Sequence, residues 1–224
     1  IGFAGADEFA WLHYTNRVSV EATHAVDRMM ELLEHRPASE KRDMRLFTPD
    51  SDAEWWADNP LAAAPYVVLA PKSRWASKEW PGGRWVDVAE RLSKSFPGRL
   101  LLTGSPGERG DVDALAERMK RRGVDAVSLA GRNSIGQTMA VIEKAALVIA
   151  NDSAPMHMAV GYARPLVGLF GPTDPGEVGP YGRHDAVLRP HGASGKGRDY
   201  RMPSLGSGSM SDIEVDDVLA AALN

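Results

Sequence analysis

From Tyr66 onward, short runs that are apolar at every position alternate with longer amphipathic runs. This alternation is the sequence's strongest constraint. The apolar runs are YVVLAP, RLLLTGS, AVSLAG, LVIAN, PLVGLFG and the short AVLRP. A strand with one wet face alternates apolar and polar residues, whereas a strand that is apolar throughout must be covered on both faces. Covering both faces takes crossover helices, and the intervening segments have helical periodicity. In WVDVAERLSKSF, residues Trp85, Val88, Ala89, Leu92 and Phe96 share one stripe. In DVDALAERMKRR, Val112, Leu115, Ala116 and Met119 do so. Gly123 is the expected C-terminal cap of that second helix. The segment SIGQTMAVIEKAA opens with the capping box Ser134-x-x-Gln137 and is expected to bury Ile135, Met139 and Ile142. A helix APMHMAVGYA follows LVIAN, and a last helix opens on a second capping box, Ser211-x-x-Glu214. The expected fold class is α/β, a Rossmann-like parallel sheet with right-handed crossovers.

The chain upstream of that sheet reads differently. Residues 1–48 hold a short strand candidate, IGFAGA, and a helix from about Val20 to His35 with Ala22, Ala25, Val26, Met29, Met30 and Leu33 on one face. One strand and one helix cannot close a core, so this piece is expected to dock on something else. Residues 49–65 are polar and turn-rich and read as an interdomain linker, with Trp55 and Trp56 packed against a neighbour. Residues 66–224 form the main domain. The chain begins without Met, in text that resembles the middle of a domain, so a preceding region is expected.

Composition removes several classes. The net charge of −4 lacks the basic footprint that nucleic-acid binding requires. With no cysteine, disulfides, thiolate chemistry and Cys-based zinc sites are excluded. No run reaches the roughly 18–20 apolar residues that span a bilayer. His, Asp and Glu show no compact metal-ligand spacing, so no metal site is expected. There is no GxGxxG, GxxxxGK[ST] or GxSxG motif, which removes the main support for nicotinamide, P-loop and hydrolase readings.

Open parallel sheets bind ligands outside the carboxyl ends of their strands. Here five polar loops lie at those ends: SRWASKEWPGGR, TGSPGER, AGRNS, NDSAPMH and GPTDPGEVGPYG. In NDSAPMH, Ser153 is either a plain N-cap or part of an anion site made by the helix's free amides and dipole, with Pro155 harmless in the first turn. His157 is either a donor to a phosphate oxygen or a packed core histidine. Lys78 and Arg74 are either point charges for a phosphate or members of a solvated loop, with Trp80 and Trp85 in the core. Glu108 either favours its helix N-terminus electrostatically or accepts from ribose hydroxyls.

Taken together, the loops resemble glycosyltransferase family 9, the ADP-heptose:lipopolysaccharide heptosyltransferases. The similar text is APKSRWASKEWP, LLTGSPGER, LAGRNSIGQTMAVIEKAALVIANDSAPMHMA and RPLVGLFGPTDPGEVGPYG, with the closing MSDIEVDDVLAAAL. The resemblance covers about residues 65–224, and the opening 33 or so residues resemble the end of the family's N-terminal domain. It implies a two-domain GT-B fold with residues 1–48 a remnant of the acceptor domain and residues 66–224 the nucleotide-sugar donor domain. Carried over by position, Ser73, Lys78, Asp152, Ser153, Ala154, Pro155 and His157 would lie at the donor diphosphate. Thr103, Gly104, Glu108, Arg132, Asn133 and Ser134 would lie by the nucleoside.

The implied reaction is inverting, metal-independent transfer of a heptose or related sugar from an ADP-sugar to lipopolysaccharide core or a similar glycan. The ADP-sugar is substrate, and no cofactor is implied. Such transfer needs a base for the acceptor hydroxyl and positive charge for the departing diphosphate. Lys78 and a helix N-terminus meet the second need. The family's base is an aspartate in a region this sequence does not contain, so none is assigned and the chain alone is expected to be inactive. Asp152 is expected to orient the loop or a sugar hydroxyl. The implied location is cytoplasmic, at the inner face of the inner membrane, with peripheral membrane association through the lipid acceptor. Alternative readings are a GT-B-like nucleotide-sugar epimerase and a non-catalytic nucleotide-sugar-binding module. Two departures stand out. Ala154 occupies a position where the family usually has glycine. The segment HGASGKGRDYRMPSLGSGSM has none of the cysteines many members carry, and its Gly/Ser-rich composition is that of a flexible linker.

Overall fold

The computed structural model describes residues 1–4, 10–34, 43–190 and 209–224. Strands β1 (Gly2–Phe3) and β2 (Arg17–Val18) pair in parallel as a separate two-stranded sheet. Helix α1 (Ala25–Glu34) follows. It starts about five residues later than the periodicity predicts, because His24 caps it. The imidazole Nδ1 accepts from the Val26 N–H at 3.2 Å, and the His24 carbonyl accepts from Arg28 at 2.9 Å. Glu31 in turn reaches back to the amides of Glu21 and Ala22, holding them outside the helix. The predicted apolar face is largely open: Met29 is 49% exposed and Leu33 66%.

The stretch 49–65 is structured. Helix α2 (Asp50–Ala57) packs on the main domain with Trp56 buried, and its Nε1 donates to the Tyr66 hydroxyl at 2.8 Å. That hydroxyl donates onward to the Val141 carbonyl, also at 2.8 Å. Just upstream, Thr48 Oγ1 donates to Glu143 at 2.6 Å and contacts the Tyr162 hydroxyl.

The main domain then alternates without exception: β3 (Tyr66–Ala70), α3 (Gly82–Ser95), β4 (Arg99–Leu102), α4 (Arg109–Lys120), β5 (Ala126–Ser128), α5 (Ile135–Glu143), β6 (Leu147–Asn151), α6 (Ala154–Gly161), β7 (Leu166–Leu169). A single-turn helix α7 (Pro175–Val178), strand β8 (Val187–Leu188) and helix α8 (Val215–Leu223) complete it. All six strands are parallel in the order β5-β4-β3-β6-β7-β8. The chain reverses direction of growth between β3 and β6, where Val67 pairs with Leu147 and Ala70 with Ala150.

The period of two along β3 divides the interior. Val67 and Leu69 join Trp80, Trp85 and Leu92 on one face, under α3, α4 and α8. Tyr66, Val68 and Ala70 join Trp56, Val141 and Met156 on the other, under α2, α5 and α6. Trp80 and Trp85 meet edge to face, with centroids 5.3 Å apart. Gly123 closes α4 at φ +80°, a conformation that a residue with a Cβ reaches only with strain.

Two local expectations need correction. The Ser134–Gln137 capping box forms in full, but Ser211–Glu214 does not. Ser209 and Asp212 make the box instead, on a short 3₁₀ turn, and Arg84 takes Glu214 at 2.9 Å while also donating to the Ile213 carbonyl. Ile135 is 75% exposed rather than buried, because as the first residue of α5 it lines the open cavity at the strand ends. The Gly/Ser-rich stretch lies outside the described residues except for Ser209 and Met210, as do the latter parts of IGFAGA and His35.

Candidate functional site

The reversal point between β3 and β6 leaves a crevice at the carboxyl ends of the strands, where such sheets bind ligands. Asn151, the last residue of β6, is fully buried and ties the two sides together. Its Nδ2 donates to the Pro71 carbonyl at 2.7 Å, and its Oδ1 accepts from the Trp80 amide at 3.3 Å. Both ends of the loop after β3 are therefore fixed to the end of β6. Within the loop, Glu79 accepts from the Ser73 amide at 3.2 Å and from Lys72 Nζ at 2.7 Å. Burial opposes the charge on Lys72, but the carboxylates of Glu79 and Asp111 outweigh it and hold its pKa above the ordinary value.

At the centre Lys78 Nζ donates to Asp152 Oδ2 at 2.7 Å, with the two side chains only 13% and 8% exposed. Thr173, from the loop after β7, donates to the same oxygen at 2.8 Å. The Ser73 hydroxyl donates to the Asp152 carbonyl at 3.0 Å. Asp152 thus gathers three loops and orients the ammonium group. A buried carboxylate with two donors on one oxygen is well compensated, and removing the lysine would leave its charge largely uncompensated. Ser153 occupies the N-cap position of α6 with extended backbone, φ −159°, yet its hydroxyl makes no capping bond. It turns back to the Asn151 carbonyl at 3.1 Å, so the plain N-cap reading of its side chain does not hold.

A cavity of about 630 Å³ opens over these groups. Of the residues singled out from sequence, Ser73, Lys78, Asp152, Ser153, Ala154 and Pro155 line it around the reversal point. Thr103, Gly104, Glu108, Asn133 and Ser134 line it on the side of β4 and β5. Glu108 is held by a capping box, its Oε2 accepting from the Ser105 amide at 2.6 Å. Thr103 Oγ1 and Asn133 Nδ2 are buried and have no hydrogen-bond partner among the described residues. Unsatisfied polar atoms are uncommon inside proteins, and both of these belong to residues that line the cavity.

Two expected residues do not line the cavity. Arg132 turns away and clasps Asp113 with both terminal nitrogens, at 2.8 and 2.9 Å. That pairing holds the Asp113 carboxyl well below the usual range. His157 keeps an exposed side one turn into α6, and the cavity wall there is Met158. Desolvation by surrounding protein lowers the pKa of His157; Asp152 opposes this, while His24 and Lys78 add to it. The packed-core reading of His157 fails with its exposure.

Sequence reasoning passed over Lys72, Trp75, Ile135, Thr138, Asn151 and Thr173. Lys72 directly follows the first apolar run, and Asn151 ends another, where a polar residue in a buried strand marks a turn toward function. Thr173 gave no such signal, since its partner lies 21 residues away. Arg74, the second cation considered, does line the cavity, its guanidinium 5.7 Å from the centre of the Trp75 ring.

A doubly wound parallel sheet with a cation at its reversal-point cavity places the chain among the α/β proteins that bind ligands at strand ends. The chain belongs to glycosyltransferase family 9: the model described as glycosyltransferase family 9 (heptosyltransferase) matches residues 1–203. Lipopolysaccharide heptosyltransferase 1 of Pseudomonas aeruginosa is 31% identical over 170 residues, which are 74% of this chain and 44% of that protein. The chain thus spans about half the length of the curated relatives it matches. The solved structure of Escherichia coli ADP-heptose lps heptosyltransferase II superposes with TM-score 0.74 at 21% identity, over 98% of this chain and 67% of that one. E. coli heptosyltransferase WaaC with ADP gives TM-score 0.65 at 24% identity, over 94% and 59%. These likenesses identify the fold as part of a GT-B architecture. Among the described residues no helix is long and apolar enough to cross a membrane.

Proposed function

We propose that this chain is the donor-binding part of an inverting, metal-independent glycosyltransferase. It moves a heptose or related sugar from an ADP-sugar to lipopolysaccharide core or a similar surface glycan. In this reading residues 66–224 are the donor domain, residues 1–48 the end of the acceptor domain, and residues 49–65 the connection between them. The observation that carries the proposal is the convergence of Lys78 and the Ser153–Pro155 turn on one cavity across the reversal point. An ammonium and the positive end of a helix then face the same volume, an arrangement suited to a diphosphate.

Bond cleavage at the sugar carbon sends negative charge onto the departing diphosphate. Lys78, held in place by Asp152, donates to those oxygens, and the start of α6 adds the field of its dipole. No metal is needed for that charge. Thr103, Asn133 and Glu108 line the side that takes the nucleoside. Names of relatives support the donor: a solved WaaC carries ADP, and the curated relatives are lipopolysaccharide heptosyltransferases. The same names support a lipopolysaccharide acceptor, and work at the cytoplasmic face of a membrane is the part of the proposal that this acceptor would entail.

Isothermal titration of the chain with ADP and with UDP tests the reading. ADP binding tighter than UDP is expected. Equal affinities would remove the adenine assignment, and heatless titrations with both would remove the donor-site assignment.

A further inference from the structure

The first turn of α1 makes a set of contacts that the donor site does not itself require. His24 Nδ1 accepts from the Val26 amide, so the ring proton sits on Nε2, which donates to the Gly179 carbonyl at 3.1 Å. One imidazole therefore both caps α1 and holds the loop after β7. The His24 and Tyr181 rings pack with centroids 5.0 Å apart, and the Tyr181 hydroxyl donates to Asp27 at 2.7 Å. Two bonds from one helical turn thus grip the Gly179–Tyr181 stretch.

The other end of that loop carries Thr173, whose hydroxyl is on Asp152. The residues between are joined by local bonds. Asp174 caps α7 by accepting from the Gly176 amide at 2.8 Å, and Gly179 closes the turn onto the Pro175 carbonyl at 2.9 Å. A Cβ on Gly179 would lie 2.3 Å from the Pro175 oxygen, so the closure leaves no room for a side chain.

We infer that the loop after β7 is a brace through which the first turn of α1 sets the position of Asp152, and with it Lys78. His24 and Tyr181 are positioning residues: neither lines the cavity, and they act through Thr173. The ligand arm of this inference rests on the proposed donor site, while its mechanical arm does not.

Two readouts test it on the full chain. In Tyr181→Phe, which keeps the ring but removes its bond to Asp27, amide exchange at residues 173–178 should rise about fivefold or more. Its ADP affinity should fall roughly threefold to tenfold. His24→Gln retains an acceptor and a donor and should bind ADP as the wild type does, whereas His24→Ala should bind as weakly as Tyr181→Phe. Because both lesions break one brace, Tyr181→Phe combined with Thr173→Val should bind no more weakly than Thr173→Val alone. Affinity losses that simply multiply would overturn the inference. So would exchange that rises only in α1 and stays unchanged at 173–178. If the wild type binds no ADP, the proposed function fails, and the exchange result alone decides the brace.

Discussion

Between Tyr66 and Pro190 every central strand is covered on both faces, and β3, β4 and β6 are buried almost end to end. Among the described residues of 1–34, two strands of two residues each and a 3₁₀ turn accompany a helix whose Met29 and Leu33 stand in solvent. The first region has its own interior. The described residues of the second bury Leu32 but contribute to neither apolar cluster, and the directional bonds His24 to Gly179 and Asp27 to Tyr181 tie it to the rest. Such bonds contribute little net stability but specify geometry closely. Apolar burial makes the sheet region stable, and polar contacts help place the neighbouring segment.

The largest expected effect lies in the sheet. Trp85 is fully buried against Trp80, and Trp85→Ala should cost about 3–5 kcal/mol in urea unfolding, the range for truncating a core aromatic. A loss below about 1 kcal/mol would mean that this region is not held by its core, and the comparison breaks. Next comes the site. Lys78→Ala should weaken ADP binding by about 1–3 kcal/mol in titration calorimetry, the range for a charged hydrogen bond. Unchanged affinity would remove Lys78 from the diphosphate.

A third test uses pH. Burial pushes the Tyr66 phenol up from its ordinary 10.0; the bond from Trp56 partly offsets this, and Glu143 adds to it. The folded state thus favours the protonated phenol, so its contribution is full below about pH 10 and is lost as pH rises through the folded value. Unfolding free energy should decline above pH 10 in the wild type. It should decline less steeply in Tyr66→Phe, which starts lower because Trp56 Nε1 loses its acceptor. Identical slopes would show that the phenol does not titrate with unfolding.

These contrasts also explain which parts of the structure the sequence made legible. The six strands and their helices were readable because each is coded locally, by runs such as YVVLAP and stripes such as Trp85–Val88–Ala89–Leu92. The cavity was readable because parallel sheets put their binding loops at one end, which brought Ser73, Lys78 and Asp152 together. What escaped depends on long-range partners. Arg132 left the site because Asp113, on a different element, captured its guanidinium. Ser211 lost its capping box when Arg84, 130 residues away, took Glu214. Helix α1 started late because a histidine ring did the work usual for Ser, Thr, Asp or Asn.

The smallest effect is expected where the exposed face of α1 is altered. Met29 is 49% exposed, and substitutions at such positions usually change stability by less than about 0.5 kcal/mol. Alanine also has the best helix propensity, so Met29→Ala should be neutral or slightly stabilising. Urea unfolding at two protein concentrations checks this. A loss of more than about 1 kcal/mol that grows with concentration would mean that a second copy covers this face. The same loss without concentration dependence would mean that the chain itself buries Met29. Either result would extend the apolar anchorage of residues 1–34 beyond Leu32 and weaken the contrast with the sheet. A null result, set beside a large effect at Trp85, would leave His24, Tyr181 and the buried Leu32 to hold this segment against the sheet.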